Sequence, residues 1–244
     1  MGWNTVIMPR PRRYDAAVRE RLLSDAAMIA ATEGPSALSA RRLATESGTT
    51  TAAIYTLFGG MDSLRAALTA QSLQDLGRSL STLAPEADPL NQLLKLARAY
   101  RTWALAHPNE YRSIFSDALG LAVRRAGTGA VRTVVAPTVP ISAPEVFLDS
   151  VDEAWQAAMA PLNQTLRDGL ASGALQGDPE SSGALCTAVW ATLHGTVSLE
   201  LAGVLEPTLA SLGSEMGAEL FFDGTLGRMV AGLVTGAATD VPQA

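Results

Sequence analysis

Residues Leu43 to Gly60 read LATESGTTTAAIYTLFGG. A helical pattern enters this stretch, stops at Gly48, restarts at three threonines and stops again at Gly59-Gly60. Helix, glycine corner, short helix is the layout of a helix-turn-helix. Glycine takes the left-handed backbone that so tight a corner needs. Thr50 is the simplest N-cap for the second helix, because its hydroxyl can accept an amide that the first turn leaves unsatisfied. Ile54 and Phe58, four apart, share the face that turns inward. Thr50, Thr51, Ala52, Tyr55 and Thr56 then lie on or near the outward side. Small side chains there let a helix enter a DNA major groove. Threonine methyls can meet thymine methyls, hydroxyls can reach base edges or phosphate, and free amides at the helix start favour phosphate oxygens. Tyr55 can donate its hydroxyl to phosphate. The same corner occurs in many folds, and Ile54 with Phe58 also suits an ordinary core.

Working outward, the pattern predicts helices throughout. Ala17, Leu22, Ala26, Ile29 and Ala30 make one apolar stripe over Tyr14 to Glu33, ended by Gly34-Pro35. Ser39 caps Ala40 to Ser47. Asp62 caps a helix running toward Leu83. Asp88-Pro89 starts another that runs to Ala106, and Pro108 marks a further restart. Residues 127–144 hold two glycines and three prolines and read as a loop or partly ordered connection. Long helices follow over Glu145 to Ser172 and from Gly177-Asp178-Pro179-Glu180 to about Leu205. Pro207 and Gly213 interrupt, and a last helix covers Ser214 to Leu233.

Bulk composition narrows the class. Apolar residues make up 48% of the 244 and charged residues only 17%. Ala/Leu periodicity with few β-branched runs favours an all-helical chain. The net charge of −6 hides an asymmetry: through Ala70 eight basic residues face six acidic ones, a balance of +2 that leaves −8 for the remainder. The positive bias concentrates at Arg10, Arg12 and Arg13, a basic arm before the first helix that can reach into a minor groove or simply be solvated. A single cysteine, Cys186, points to a reducing compartment. No apolar run suits a membrane span, and the first residues lack a signal-peptide layout, so a cytoplasmic protein with no membrane partner is expected. MPRPRRYD from Met8 already reads as an arm before a helix, so translation from Met1 and from Met8 both stay open.

LSARRLATESGTTTAAIYTLFGGMDSLRAAL, Leu38 to Leu68, resembles the DNA-binding segment of TetR-type transcriptional regulators. The likeness runs from about Tyr14 to Leu73. It covers the first helix, the Leu-x-x-x-x-Leu-Ala-x-x-x-Gly pattern, the Ile-Tyr-x-x-Phe turn and the helix after it. It implies an N-terminal helix-turn-helix and an all-helical, ligand-binding C-terminal domain in a cytoplasmic homodimer. The division expected is an arm at 1–13, a helix-turn-helix domain at 14–60 and a connecting helix at 61–83. A ligand-binding and dimerisation domain at 84–236 and a loose tail at 237–244 complete it. Family members often carry His where this chain has Leu57 and Lys where it has Met61. Phosphate contacts therefore fall to Arg41, Arg42 and the arm.

WATLHGTVSLELAG, Trp190 to Gly203, resembles the Trp…His-Gly signature of the WHG class of TetR C-terminal domain. The resemblance implies dimerisation through the last two helices, which fits the apolar excess of Leu185 to Leu205 and of Phe221, Phe222, Leu226 and Val230. His194 is either a structural histidine or a ligand contact. Trp103, Phe115, Trp155 and Met159 either line an apolar pocket for a small hydrophobic or amphipathic effector or fill core. Two histidines and one cysteine, with no phosphate-cradling glycine loop, metal spacing or nucleophile elbow, argue against an enzyme and against any cofactor. The expectation is a ligand-responsive regulator, a repressor, that binds near-palindromic double-stranded operator DNA as a homodimer. The rival readings are a helical small-molecule enzyme and a ligand-free dimeric interaction module.

Overall fold

The structure is a computed structural model that describes residues 12–115, 124–125, 131–132 and 145–235. Arg10 and the tail at 237–244 lie outside the described residues. The chain divides into two compact units, residues 1–72 with 109–152 and residues 73–108 with 153–244.

In the first unit α1 spans Arg12–Glu33, α2 Ala40–Glu46 and α3 Thr51–Phe58, and α4 begins at Met61 and runs to Ser81. α1 starts two residues before the expected Tyr14, so Arg12 and Arg13 belong to its first turn rather than to an arm. Leu22, Ala26 and Ile29 of α1 pack with Leu38, Leu43, Ala44, Ile54, Phe58, Leu64 and Leu68 into one core. Ala17 is exposed and Val18 packs against that core instead, because the stripe continues upward from Leu22 by steps of four. Gly48 takes a φ of 59°, the left-handed bend that lets α3 cross α2. Thr50 caps α3, its Oγ1 accepting from the Ala53 amide at 3.2 Å. α4 is bonded from the Gly60 carbonyl, which accepts from Leu64 N, so Asp62 sits in the first turn rather than at the cap. α6, Pro108–Phe115, follows later in the chain. From its first turn Asn109 Nδ2 donates to the Ala31 carbonyl of α1 at 2.5 Å. Thr69 Oγ1 of α4 donates to the Ser113 carbonyl of α6.

Arg124–Arg125 (β1) and Val131–Arg132 (β2) pair as a two-residue antiparallel ladder, Arg124 opposite Arg132. The second strand falls inside the stretch expected to be loop. The remainder of that stretch, residues 127–130 and 133–144, lies outside the described residues. The fold is otherwise all-α, as the periodicity implies.

The second unit holds the end of α4, α5 (Pro89–Ala106), most of α7 (Glu145–Ser172), α8 (Ser182–Leu201), α9 (Leu205–Ser211) and α10 (Ala218–Thr235). Asp88 caps α5 and Pro89 opens it, as the pattern implies. α5 packs on α8 and α10, burying Leu93, Leu96, Tyr100 and Trp103 with Val189, Leu193, Val197, Phe222 and Leu226. Two sequence boundaries differ. α8 stops at Leu201, and α9 leaves it at 89° after Gly203, which takes a φ of 67°. Pro207 does not interrupt: it is the third residue of α9, where an amide has no intrahelical acceptor to lose.

Gly77 of α4 has the Ala158 backbone of α7 where its side chain would be, a Cβ there standing 3.2 Å from Ala158 Cα. Gly77→Val should therefore cost about 1–3 kcal/mol by overpacking. Thermal or urea unfolding checks it, against Gly183→Ala, which adds a methyl in open space.

Candidate nucleic-acid interface and effector site

α3 is two-sided. Ile54 and Phe58 are 0% and 2% exposed, whereas Thr51, Ala52 and Thr56 are exposed and Tyr55 is 55% exposed. All five expected residues of this face reach solvent, but their hydroxyls are not equally available. Thr50 Oγ1 serves as the helix cap. Thr56 Oγ1 donates to the Ala52 carbonyl at 2.9 Å. The Tyr55 ring lies beside Gly60, whose missing Cβ would sit 3.9 Å from Tyr55 Cε1. Tyr55 thus leans on the turn between α3 and α4, where the backbone amides begin.

The two arginines of α2 differ in kind. Arg42 donates to Glu33 Oε1 at 2.8 Å and to Glu46 Oε2 at 2.5 Å. Its pKa is raised, first by the hydrogen bond to Glu33 and then by that to Glu46. Its charge is already matched by two carboxylates, and its guanidinium ties α2 to the end of α1. Arg41 is exposed and makes no ion pair among the described residues. Sequence reasoning missed two further cations. Arg65 Nη2 donates to the Leu38 carbonyl at 3.2 Å, and the Arg19 guanidinium lies 4.9 Å from the Phe58 ring centre. Asp62 and Arg65, three apart on one helix, were a visible signal for the first; nothing local announced the second.

In the second unit α7, α8 and α5 bring aromatic side chains together. Trp155 meets Trp190 edge-on at 5.0 Å, and Trp190 stacks on His194 at 5.2 Å. Tyr100 Oη lies 3.4 Å from His194 Nδ1, and Ser198 Oγ lies 3.4 Å from Nε2. Burial lowers the His194 pKa, so the ring is neutral at pH 7. One ring nitrogen then donates and the other accepts, and either hydroxyl can complement it. Met159 is half-buried one turn along α7 from Trp155. Trp103 is buried and stacks on His107 at 5.2 Å. Phe115 belongs to the first unit, where it packs on Tyr111 at 4.8 Å. Of the five expected effector residues, then, Trp155 and His194 share one cluster, bridged by Trp190.

A cavity of about 560 Å³ in this unit has a different lining: Arg101, Glu200, Glu206, Glu219, Leu220 and Asp223. Arg101 makes a bidentate pair with Glu200, at 2.8 and 2.6 Å, and lies 5.5 Å from the Phe222 ring centre. Arg98 pairs with Asp223 at 3.1 Å. These groups come from four helices, so their convergence left no local trace in the sequence.

A helix-turn-helix with a small-residue outer face, on a chain whose second unit is an all-helical bundle, defines a DNA-binding regulator with a separate helical effector domain. Comparison with known proteins agrees. The family described as bacterial regulatory proteins, tetR family, matches residues 22–68, and the tetracyclin repressor-like, C-terminal domain matches residues 93–216. The chain belongs to the tetR family of transcriptional regulators. A helix-turn-helix transcriptional regulator of Mycobacterium tuberculosis is 26% identical over 188 residues, 77% of this chain and 72% of that protein. Among solved structures, a protein from Rhodococcus sp. RHA1 has a TM-score of 0.64 at 20% identity, covering 95% of this chain and 100% of its own. ActR of Streptomyces coelicolor in complex with (S)-DNPA has a TM-score of 0.56 at 20% identity, covering 89% and 97%.

The His194 environment sets a pH dependence. The folded-state pKa lies below the unfolded value of about 6.5, so the unfolded chain takes up the proton first. Stability should hold above that pH and fall as the solution is acidified through it. Urea midpoints at pH 7.5 and 5.5 test this, and His194→Asn should reduce the difference.

Proposed function

We propose that this chain is a homodimeric repressor that binds a near-palindromic operator and leaves it when a small hydrophobic or amphipathic molecule occupies the second unit. We place it in the cytoplasm, with its DNA, and assign it no catalysis. The observation that carries the reading is the exposed face of α3, held out by the buried pair Ile54 and Phe58. In a two-fold dimer, two copies of α3 would enter major grooves about 34 Å apart. Thr51, Ala52 and Thr56 face the bases. Tyr55, the amide-rich start of α3 at Thr50, and Arg41 hold phosphates, with Arg10, Arg12 and Arg13 as added cationic contacts. Arg42 contributes less, being shared between Glu33 and Glu46.

Dimerisation is assigned to α8 and α10. Ala184, Ala188, Ala191, Gly195 and Leu199 of α8 and Leu220, Gly227 and Val234 of α10 are exposed, an apolar and mostly small-residue surface. Gly195 costs roughly 1 kcal/mol against alanine in mid-helix, and among the described residues nothing comes near its missing side chain. Close packing by a second copy would account for it. The effector is assigned to the side chains around Trp155, Met159 and His194, with Trp103 as a further wall. ActR, which shares this fold, is solved in complex with (S)-DNPA, which favours a ligand-responsive reading. The effector can shift DNA binding only by its difference in affinity for the two states.

Selection of bound DNA from a random pool, followed by gel-shift with and without cell extract, tests the reading. A folded dimer that retards no selected DNA at low salt ends it. Arg41→Ala should lower the slope of log affinity against log salt by about 0.9, one phosphate contact, while Arg42→Ala changes it less. Gly195→Arg should convert the dimer to monomer by light scattering and abolish operator binding.

A further inference from the structure

α3 and its flanks contain no arginine, lysine, asparagine, glutamine or carboxylate from Thr49 to Gly60. The bidentate pairs that read guanine or adenine are therefore unavailable to this helix. Two of its four outer hydroxyls are also already engaged. Thr50 Oγ1 is occupied by the Ala53 amide, and the Thr56 proton goes to the Ala52 carbonyl. Beside the Thr51 and Tyr55 hydroxyls, the outer face presents carbon: the Thr51 methyl, the Ala52 Cβ and the Thr56 methyl. Ala52 and Thr56 are one turn apart, so their carbons form a short row.

We propose that α3 reads its operator through C5-methyl groups, taking up thymine methyls along the row formed by Ala52 and Thr56 and at Thr51. The proposal rests on the regulator reading and specifies the chemistry of its specificity. Recognition is apolar contact with groove methyls, with sequence-independent phosphate contacts setting the register. Thymine is distinguished from cytosine at these positions by the methyl and not by a hydrogen bond, so 5-methylcytosine is a partial substitute.

The test uses the full chain and the operator it selects from a random pool. Each thymine is replaced in turn by deoxyuridine, which removes only the methyl. At two or more positions per half-site affinity should fall about fourfold, the factor for one buried methyl group. Two variants then separate methyl from hydroxyl. Thr56→Val keeps a methyl and removes the hydroxyl, and it should retain the uracil penalty. Thr56→Ser keeps the hydroxyl and removes the methyl, and it should lose the penalty at one position alone. Thermal midpoints of both confirm folding. An operator indifferent to uracil everywhere overturns the proposal, as does a penalty kept by serine and lost by valine. Failure of a folded dimer to select any DNA is distinguishable from both, and sinks the regulator reading with the proposal.

Discussion

The burial of Ile54 and Phe58 against α1 is the constraint on which the remainder of the first unit depends. Both side chains leave water almost completely, and each is worth roughly 1.5–3 kcal/mol on burial. They can reach the core only if the chain turns between α2 and α3. That turn requires the left-handed bend at Gly48 and the cap at Thr50. Once α3 is anchored on one side, the 3.6-residue period sends Thr51, Ala52, Tyr55 and Thr56 to the other. The exposed face of α3 is thus a by-product of core packing. No residue on it has to hold the helix in place, which leaves those positions chemically available.

What could be read from the chain alone follows from how local each signal is. Caps at Ser39, Thr50 and Asp88 involve groups two or three residues apart, and all three stand where the pattern put them. The exposed face of α3 follows from a period and two large apolar residues. Failures occur where a partner is distant or the local rule is permissive. Pro207 looked like a break, yet the first turn of a helix has no use for its amide. Arg42 looked like a free cation; Glu33 lies nine positions back, across two turns, and only the fold brings it to 2.8 Å. The charged cavity around Arg101 needs carboxylates from residues 200 to 223, about a hundred positions away.

The second unit shows the same contrast in its aromatic residues. The pairing of Trp190 with His194, four apart on α8, could be anticipated from helical spacing. The edge-on contact with Trp155 could not, because α7 and α8 meet only in three dimensions. Phe115 packs on Tyr111 within the first unit, a partner that residue type alone does not name. Neutral His194 sits between two hydroxyls and an indole.

Asn109 closes the last turn of α1 from a position 78 residues downstream, by donating to the Ala31 carbonyl. The DNA-facing module is therefore not a contiguous cassette. A fragment cut after the start of α4 would expose that carbonyl and the polar seam of α4 beneath α6. Chimaeras that graft this recognition helix onto another effector domain need α6 as part of the transplant, or a replacement donor for the orphaned oxygen.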